Sequence, residues 1–332
     1  MTHPVTTTIR SADAQPIIAP EMNLMRSIAV ALLLTTLPLD AVAAAKGAGP
    51  VKLAPAEQAS ILAAYDKDRA DTQKELRESP TSYLAAVARA DFGDKTSLVL
   101  GRAPDCDLRV DDPEVAAHHL RVTVVGDSFQ VEALDDTAHF GIHADRLREL
   151  TVPPGFVRVG RFTVRLSHQR FPALIVFDPR SPRFAEYHGL SWYAPDLDYR
   201  FVAPLTPNPK PDTAIIMSTR GNARRAVLAG WFDLSVKGKP VHLEAHRLLE
   251  PGVDEKSASI FFRDATTGGE TYAVGRYIDP ERLPNGEWLV DFNNAYNPAC
   301  AVSPYYNCPI PSKANSLKVA IRAGEQNSHY VH

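Results

Sequence analysis

Residues 291–315 read DFNNAYNPACAVSPYYNCPIPSKAN and hold two of the chain's three cysteines, Cys300 and Cys308. Three chemistries are open to two thiols at this spacing. A disulfide would close a short loop and stabilise by about 2–3 kcal/mol through unfolded-state entropy. A metal site is less well matched, because C-x7-C without a second pair lacks zinc-finger spacing. A nucleophilic Cys300 would need a base that the adjacent sequence does not supply. The prolines that restrict the segment favour the bridge.

The residues just before the cysteines are dense in polar and aromatic groups. In TYAVGRYI, Tyr272, Val274 and Arg276 share one face if the segment is extended, and in VDFNNAYN, Asp291 and Asn293 share another. A hairpin pairing these segments would gather Arg276, Asp291, Asn293 and Tyr296, with Asn297 following. An arginine with a carboxylate and amides recognises planar polar groups bidentately. The same set can serve as a buried knot that pins the proline-rich loop, since buried polar groups must be paired. If the protein is a hydrolase, Asp291 or Glu325 is the candidate general base. VHLEAHRL places His242, Glu244 and His246 on one strand face, a weak metal candidate that a solvent-facing polar stripe explains as well. No metal or cofactor is expected: there is no G-x-S-x-G, and GNARRA and TTGGET lack the lysine and spacing of a phosphate loop.

Short elements must position these groups. The 27 prolines and 18 glycines favour many strands and turns over long helices. The exception is APAEQASILAAYDKDRADTQKELRES, a polar helix started by Pro55, ended by Pro80 and carrying a thin apolar stripe. Strand-length runs follow from residue 96: TSLVLG, DLRV, HLRVTVV, SFQVEA, FVRV and RFTVRLS, spaced as in a small sandwich or barrel. Beyond residue 171 come ALIVFD, a proline- and aromatic-rich excursion with Tyr187, Trp192 and Tyr193, and then YRFVA. AVLAGWFDLSV and PVHLEAHRLL form a hairpin across KGK. A second hairpin closes on Thr266–Gly269, and SLKVAIRAGE reads as a last strand. The expected fold is all-β: a β-sandwich, then a second sandwich or barrel-like domain, with an N-terminal α-helix. The expected division is 1–43 upstream lead and signal peptide, 44–80 linker and helix, 81–170 first β domain, 171–326 second β domain and 327–332 tail.

Two resemblances sharpen this outline. LGRAPDCDLRVDDPEVAAHHLRVTV resembles the core of a forkhead-associated domain, with Gly101, Arg102 and His119 at family positions. Ala116 stands where that family has the serine that helps hold phosphothreonine, and Ala117 where it has an arginine. The resemblance therefore implies the scaffold and argues against phosphopeptide binding, leaving Arg102 and His119 to stabilise turns. Cys106, before a strand-like run, reads as a small buried thiol. The second half, through FFRDATTGGETYAVGRYID, VDFNNAYNPACAVSPYYNCPIPSKAN and the closing IRAGE, resembles the domain of unknown function 1684 (DUF1684). That resemblance implies kinship and no activity.

Compartment and partners come from the chain's start and its charge. MNLMRSIAVALLLTTLPLDAVAAA has Arg26, an apolar run from Ile28 to Leu37 and a small-residue site ending at Ala43, the order of a cleavable signal peptide and too short to span a bilayer. The protein is expected to be periplasmic or secreted and not an integral membrane protein. Its net charge of -3, from 36 basic and 39 acidic residues, gives no basic stretch for nucleic acid. The expected partner is a small molecule or envelope component. The expected role is ligand binding or scaffolding, with a cleft lined by Tyr187, Trp192, Tyr193, Tyr272, Arg276, Asn293 and Tyr296. The alternative is a hydrolase with a carboxylate base.

Overall fold

The computed structural model describes residues 47–142, 145–211 and 213–330. The expected signal peptide and its expected cleavage site lie outside the described residues. The long helix spans Pro55–Glu78. Proline at its first position loses no hydrogen bond there, and the Glu57 carboxylate accepts from the Ala54 N–H at 2.8 Å. Its buried stripe is thin, as expected: Ile61, Tyr65, Thr72 and Leu76. Among the described residues no helix is long and apolar enough to cross a membrane.

The fold is all-β around this helix. The first unit is a sandwich of two sheets. One sheet runs in the order 86–91, 173–177, 162–167, 155–159, 140–142, 145–147; the other runs 108–109, 97–101, 120–125, 128–133, 149–152. All pairings are antiparallel except that of 97–101 with 108–109. Leu98, Leu100, Val122, Phe129, Val131, Val157 and Val164 fill the space between the sheets.

The strand Ala173–Phe177 corrects the expected boundary. The sequence reading gave it to the second domain, yet it pairs on both sides within the first sandwich. All five of its residues are buried. Leu174 and Val176 face the sandwich core, while Ile175 and Phe177 pack with Ile216, Phe261, Tyr277, Cys300 and Cys308 of the second unit. A strand covered on both faces loses its alternation and reads as a continuous apolar run.

The second unit is built on the hairpin Ala223–Val236 and Lys239–Leu248. Lys237 and Gly238 form its turn with φ of 48° and 77°, the left-handed pair that a two-residue hairpin needs. Strands 200–203, 288–291 and 281–282 form a second sheet, and 260–262 pairs with 276–278. Phe201, Phe232, Leu234, Ile260, Phe262, Val290 and Phe292 make its core. Two expectations fail locally. The residues between 262 and 276 are an irregular loop rather than a tight hairpin turn. SLKVAIRAGE forms no regular strand, only isolated bridges of Ser316 with Arg263 and of Glu325 with Trp192.

Candidate functional site

The polar motif residues do not meet in one cleft. They form three groups. The first stands at the end of strand 288–291. Arg200 lies directly opposite Asp291 across the antiparallel pair. Its Nη1 donates to Asp291 Oδ2, and Tyr65 of the long helix donates its hydroxyl to the same oxygen at 2.6 Å. The Asn293 N–H and Nδ2 both donate to Oδ1 at 3.0 Å. Four donors fill the acceptor capacity of a carboxylate. Asp291 is 3% exposed. Burial, then the neighbouring Asp291 charge, pushes the Tyr65 hydroxyl well above its usual range. Asn293 also exchanges hydrogen bonds with the Asp196 backbone at 2.9 Å in each direction, so the aromatic excursion is tied to this knot.

Arg276 belongs to a second group, and the expected Arg276–Asp291 pair is not made. The strand that carries Asp291 pairs with 200–203 and 281–282, whereas 276–278 pairs with 260–262. Arg276 is buried against Asp264 at 3.5 Å and donates to the carbonyls of Ile321 at 2.7 Å, Ala323 at 2.5 Å and Glu325 at 3.2 Å. Burial lowers its pKa, and the Asp264 charge opposes that. Asp264 also accepts from the hydroxyls of Thr266 and Thr267 and from the Ile321 N–H at 2.6 Å. This acid organises the irregular loop. Nearby, the Asn297 N–H donates to Glu325 Oε2 at 2.8 Å, and Asn297 Nδ2 donates to the Gln326 carbonyl at 2.7 Å. Glu325 is 4% exposed.

The third group contains the cysteines. The expected disulfide is not formed: Cys300 and Cys308 are free thiols. They are neighbours, since the Cys300 N–H points to Cys308 Sγ at 3.4 Å. The hydrogen bond with Cys308 holds the Cys300 pKa down, and the same bond, with burial, pushes Cys308 up. Tyr272 donates to the Cys300 carbonyl at 3.1 Å, and Thr219 Oγ1 accepts the Cys308 N–H at 3.0 Å. Their loop is the joint between the two units. Arg89 of the sandwich donates to the Tyr305 carbonyl at 2.8 Å, Arg220 pairs with Asp91 at 2.9 Å, and the rings of Tyr83 and Tyr306 meet edge to face at 4.9 Å.

The aromatic candidates are scattered along the same side chains. Tyr187 is buried, donates to Gln73 of the helix and stacks on Tyr330. Trp192 is partly exposed, with Arg69 over its ring at 5.8 Å, and its backbone bridges Glu325. Tyr193 donates to Glu270 at 3.0 Å, and Glu270 pairs with Arg322 at 2.8 Å. Burial and the Glu270 bond push the Tyr193 hydroxyl up to about 12. Tyr296 donates to Asp279 at 2.7 Å.

The histidine stripe does not converge. His242 turns to Asp233 at 2.8 Å, while His246 is buried and 3.7 Å from Glu244. In the sandwich, the His119 Nδ1 accepts the Ala116 N–H at 3.0 Å, and its Nε2 lies 2.9 Å from the His139 carbonyl, the turn-stabilising role expected of it. Cys106 is not the buried thiol expected; it is partly exposed beside Asp105 and His118.

Tyr65, Arg200 and Asp264 were not among the sequence candidates. An arginine inside the otherwise apolar YRFVA was a signal of a buried partner. DATT has the Asp and Thr spacing of a side-chain-capped turn.

With this geometry in place, the profile described as protein of unknown function (DUF1684) matches residues 185–326, and that of the FHA domain matches residues 98–155. The chain is 33% identical to an uncharacterized protein of Haloarcula marismortui whose solution NMR structure is known, covering 44% of this chain and 80% of that one at a TM-score of 0.36. The chain belongs to the DUF1684 family. Arg200, Arg276, Asp291, Cys300 and Cys308 lie within its matched span, whereas Tyr65 and the joint's partners Tyr83, Arg89 and Asp91 lie outside it. The FhaA FHA domain, solved with a partner's intracellular domain, is 22% identical over 24% of this chain and 78% of that one, at a TM-score of 0.19. An FHA domain studied for phosphothreonine-dependent interactions is 19% identical over 28% of this chain and 95% of that one, at a TM-score of 0.20. No curated protein matches the chain.

Proposed function

We propose that this DUF1684 protein is an exported binding or scaffolding module, with its FHA-like sandwich serving as a phosphate-independent partner domain. The signal-like N-terminal sequence supports export. The closure of Asp291 is the observation that supports binding over hydrolysis. A general base needs a lone pair within reach of a substrate proton. Both oxygens of Asp291 are already saturated by Tyr65, Arg200 and Asn293. Glu325, the other candidate, is buried and accepts the Asn297 N–H. The side chains left at the surface include the partly exposed aromatics Trp192, Tyr193 and Tyr296, oriented by Arg69, Glu270 and Asp279. Rigid aromatics with fixed polar edges are the usual lining of a recognition surface. The test is a thermal-shift screen of the mature protein against sugars, peptides, lipids and divalent metals, repeated on Trp192→Ala. One class should raise the melting temperature of the wild type and do so less in the variant. Hydrolysis of a screened compound, with no stabilisation by any of them, would reject the reading.

A further inference from the structure

We propose that Asp105, Cys106 and His118 form a binding site for one divalent ion of the zinc class on the loops of the FHA-like sandwich. Among the described residues these three bring a carboxylate oxygen, a thiol and an imidazole nitrogen within 4.8 Å of one another. The donor set is specific to this chemistry. Thiolate, imidazole and carboxylate together suit a borderline-soft ion, and three protein ligands leave a fourth tetrahedral position for water.

The backbone holds the two contributing loops together before any ion arrives. Arg102 N donates to the Ala116 carbonyl at 3.0 Å, Ala103 N to that of Ala117 at 2.9 Å, and His119 N to that of Leu100 at 2.8 Å. Cys106 N caps the Ala103 carbonyl at 3.2 Å, and Cys106 Sγ reaches the Ala117 carbonyl at 3.3 Å. Glycine at 101 permits this approach, because a Cβ there would lie 2.2 Å from the Ala117 oxygen and 2.8 Å from Cys106 Sγ. His118 Nε2 already faces the Asp105 oxygens at 3.0 and 3.1 Å. Ligand atoms around a tetrahedral zinc lie about 3.3–3.8 Å apart, given metal–ligand bonds of about 2.0–2.3 Å. The His118 and Asp105 atoms already meet near that spacing, and all three side chains are exposed or partly exposed. Metal binding would replace the Cys106 S–H bond by a sulfur–metal bond and release that proton to solvent, with His118 binding as the neutral imidazole.

The probe is cobalt(II) added to the mature full-length protein, read by absorption, then displaced by zinc. One equivalent should give a sulfur-to-cobalt charge-transfer band and the intense visible bands of a tetrahedral site. Cys106→Ser should abolish the charge-transfer band, and His118→Ala should weaken binding by roughly 10–100-fold or more. Cys300→Ser/Cys308→Ser should leave both signals intact. All these changes can be checked for folding by melting, and residues 106 and 118 are at or near the surface. A charge-transfer band that survives Cys106→Ser, or one lost in the Cys300→Ser/Cys308→Ser variant, overturns the assignment. So does the absence of cobalt binding at micromolar protein.

Discussion

Arg200 and Asp291 face each other across two paired strands, both buried, and Tyr65 of the N-terminal helix closes over their carboxylate–guanidinium contact. Three sequence-distant segments meet at one side chain. A buried ion pair is a weak source of net stability, but removing one partner strands the other charge in a low dielectric. The helix is therefore anchored here by a buried polar contact in addition to its thin apolar stripe.

Tyr65→Phe should separate the helix from the body more than it unfolds the body. Losing a hydrogen bond to a charged acceptor costs about 1.5–3 kcal/mol. Limited proteolysis should cut within 55–78 faster than in the wild type while the β core stays resistant. Unchanged cleavage would show that Ile61, Leu76 and the contacts of Gln73 and Arg69 hold the helix without the Tyr65 hydroxyl.

The pH dependence of stability follows from buried histidines. His119 and His246 both have pKa values lowered by burial. Below the unfolded value of about 6.5 the unfolded chain binds more protons than the folded one, so stability falls as pH drops through that value. For His119 the reason is visible: protonation at Nδ1 would break its bond from the Ala116 N–H. Melting temperature should decrease from pH 7.5 to 5.5, and His119→Gln should flatten part of that slope. A melting temperature that is level or rising over this range would refute the assignment.

The FHA-like sandwich should not distinguish phosphothreonine peptides from their unphosphorylated forms. Ala116 and Ala117 offer neither a hydroxyl nor a guanidinium there. A phosphate-dependent gain of about tenfold, 1.4 kcal/mol, measured by calorimetry, would contradict this.

Cys300 and Cys308 are free here, and they are placed to bridge once an oxidant is present. Of the two thiols, Cys300 has its pKa held down by the hydrogen bond with Cys308 and so loses its proton more readily. If the proposed export delivers the chain to the periplasm, protein recovered there should show the pair linked on non-reducing peptide mapping. The loop-entropy scale of about 2–3 kcal/mol implies a drop of several degrees for the double serine variant. Two free thiols in that sample would leave the joint to its prolines and to Arg89, Arg220 and Tyr83.

The sequence reading recovered what local pattern controls. Pro55 and Pro80 bound the helix, and Lys237–Gly238 turned the long hairpin, because capping and φ are short-range demands. Pairing between distant segments was not legible. The alternation of side chains along two extended segments matches Asp291 with Arg276, whereas register places it opposite Arg200. The strand 173–177 was misassigned because burial on both faces removed its alternation. Thr266 is a local partner of Asp264, but the Ile321 N–H reaches it only after the C-terminal segment wraps back, so the buried cluster is not legible in sequence.

The most direct measurement is the unfolding free energy of Asp291→Asn by urea denaturation, beside Arg200→Met and the double variant Arg200→Met/Asp291→Leu. If Asp291 is a structural partner, Asp291→Asn should lose about 3–5 kcal/mol, and the double variant should recover part of the loss by removing both charges. An Asp291→Asn protein as stable as the wild type would contradict that role and return the carboxylate to the list of catalytic candidates.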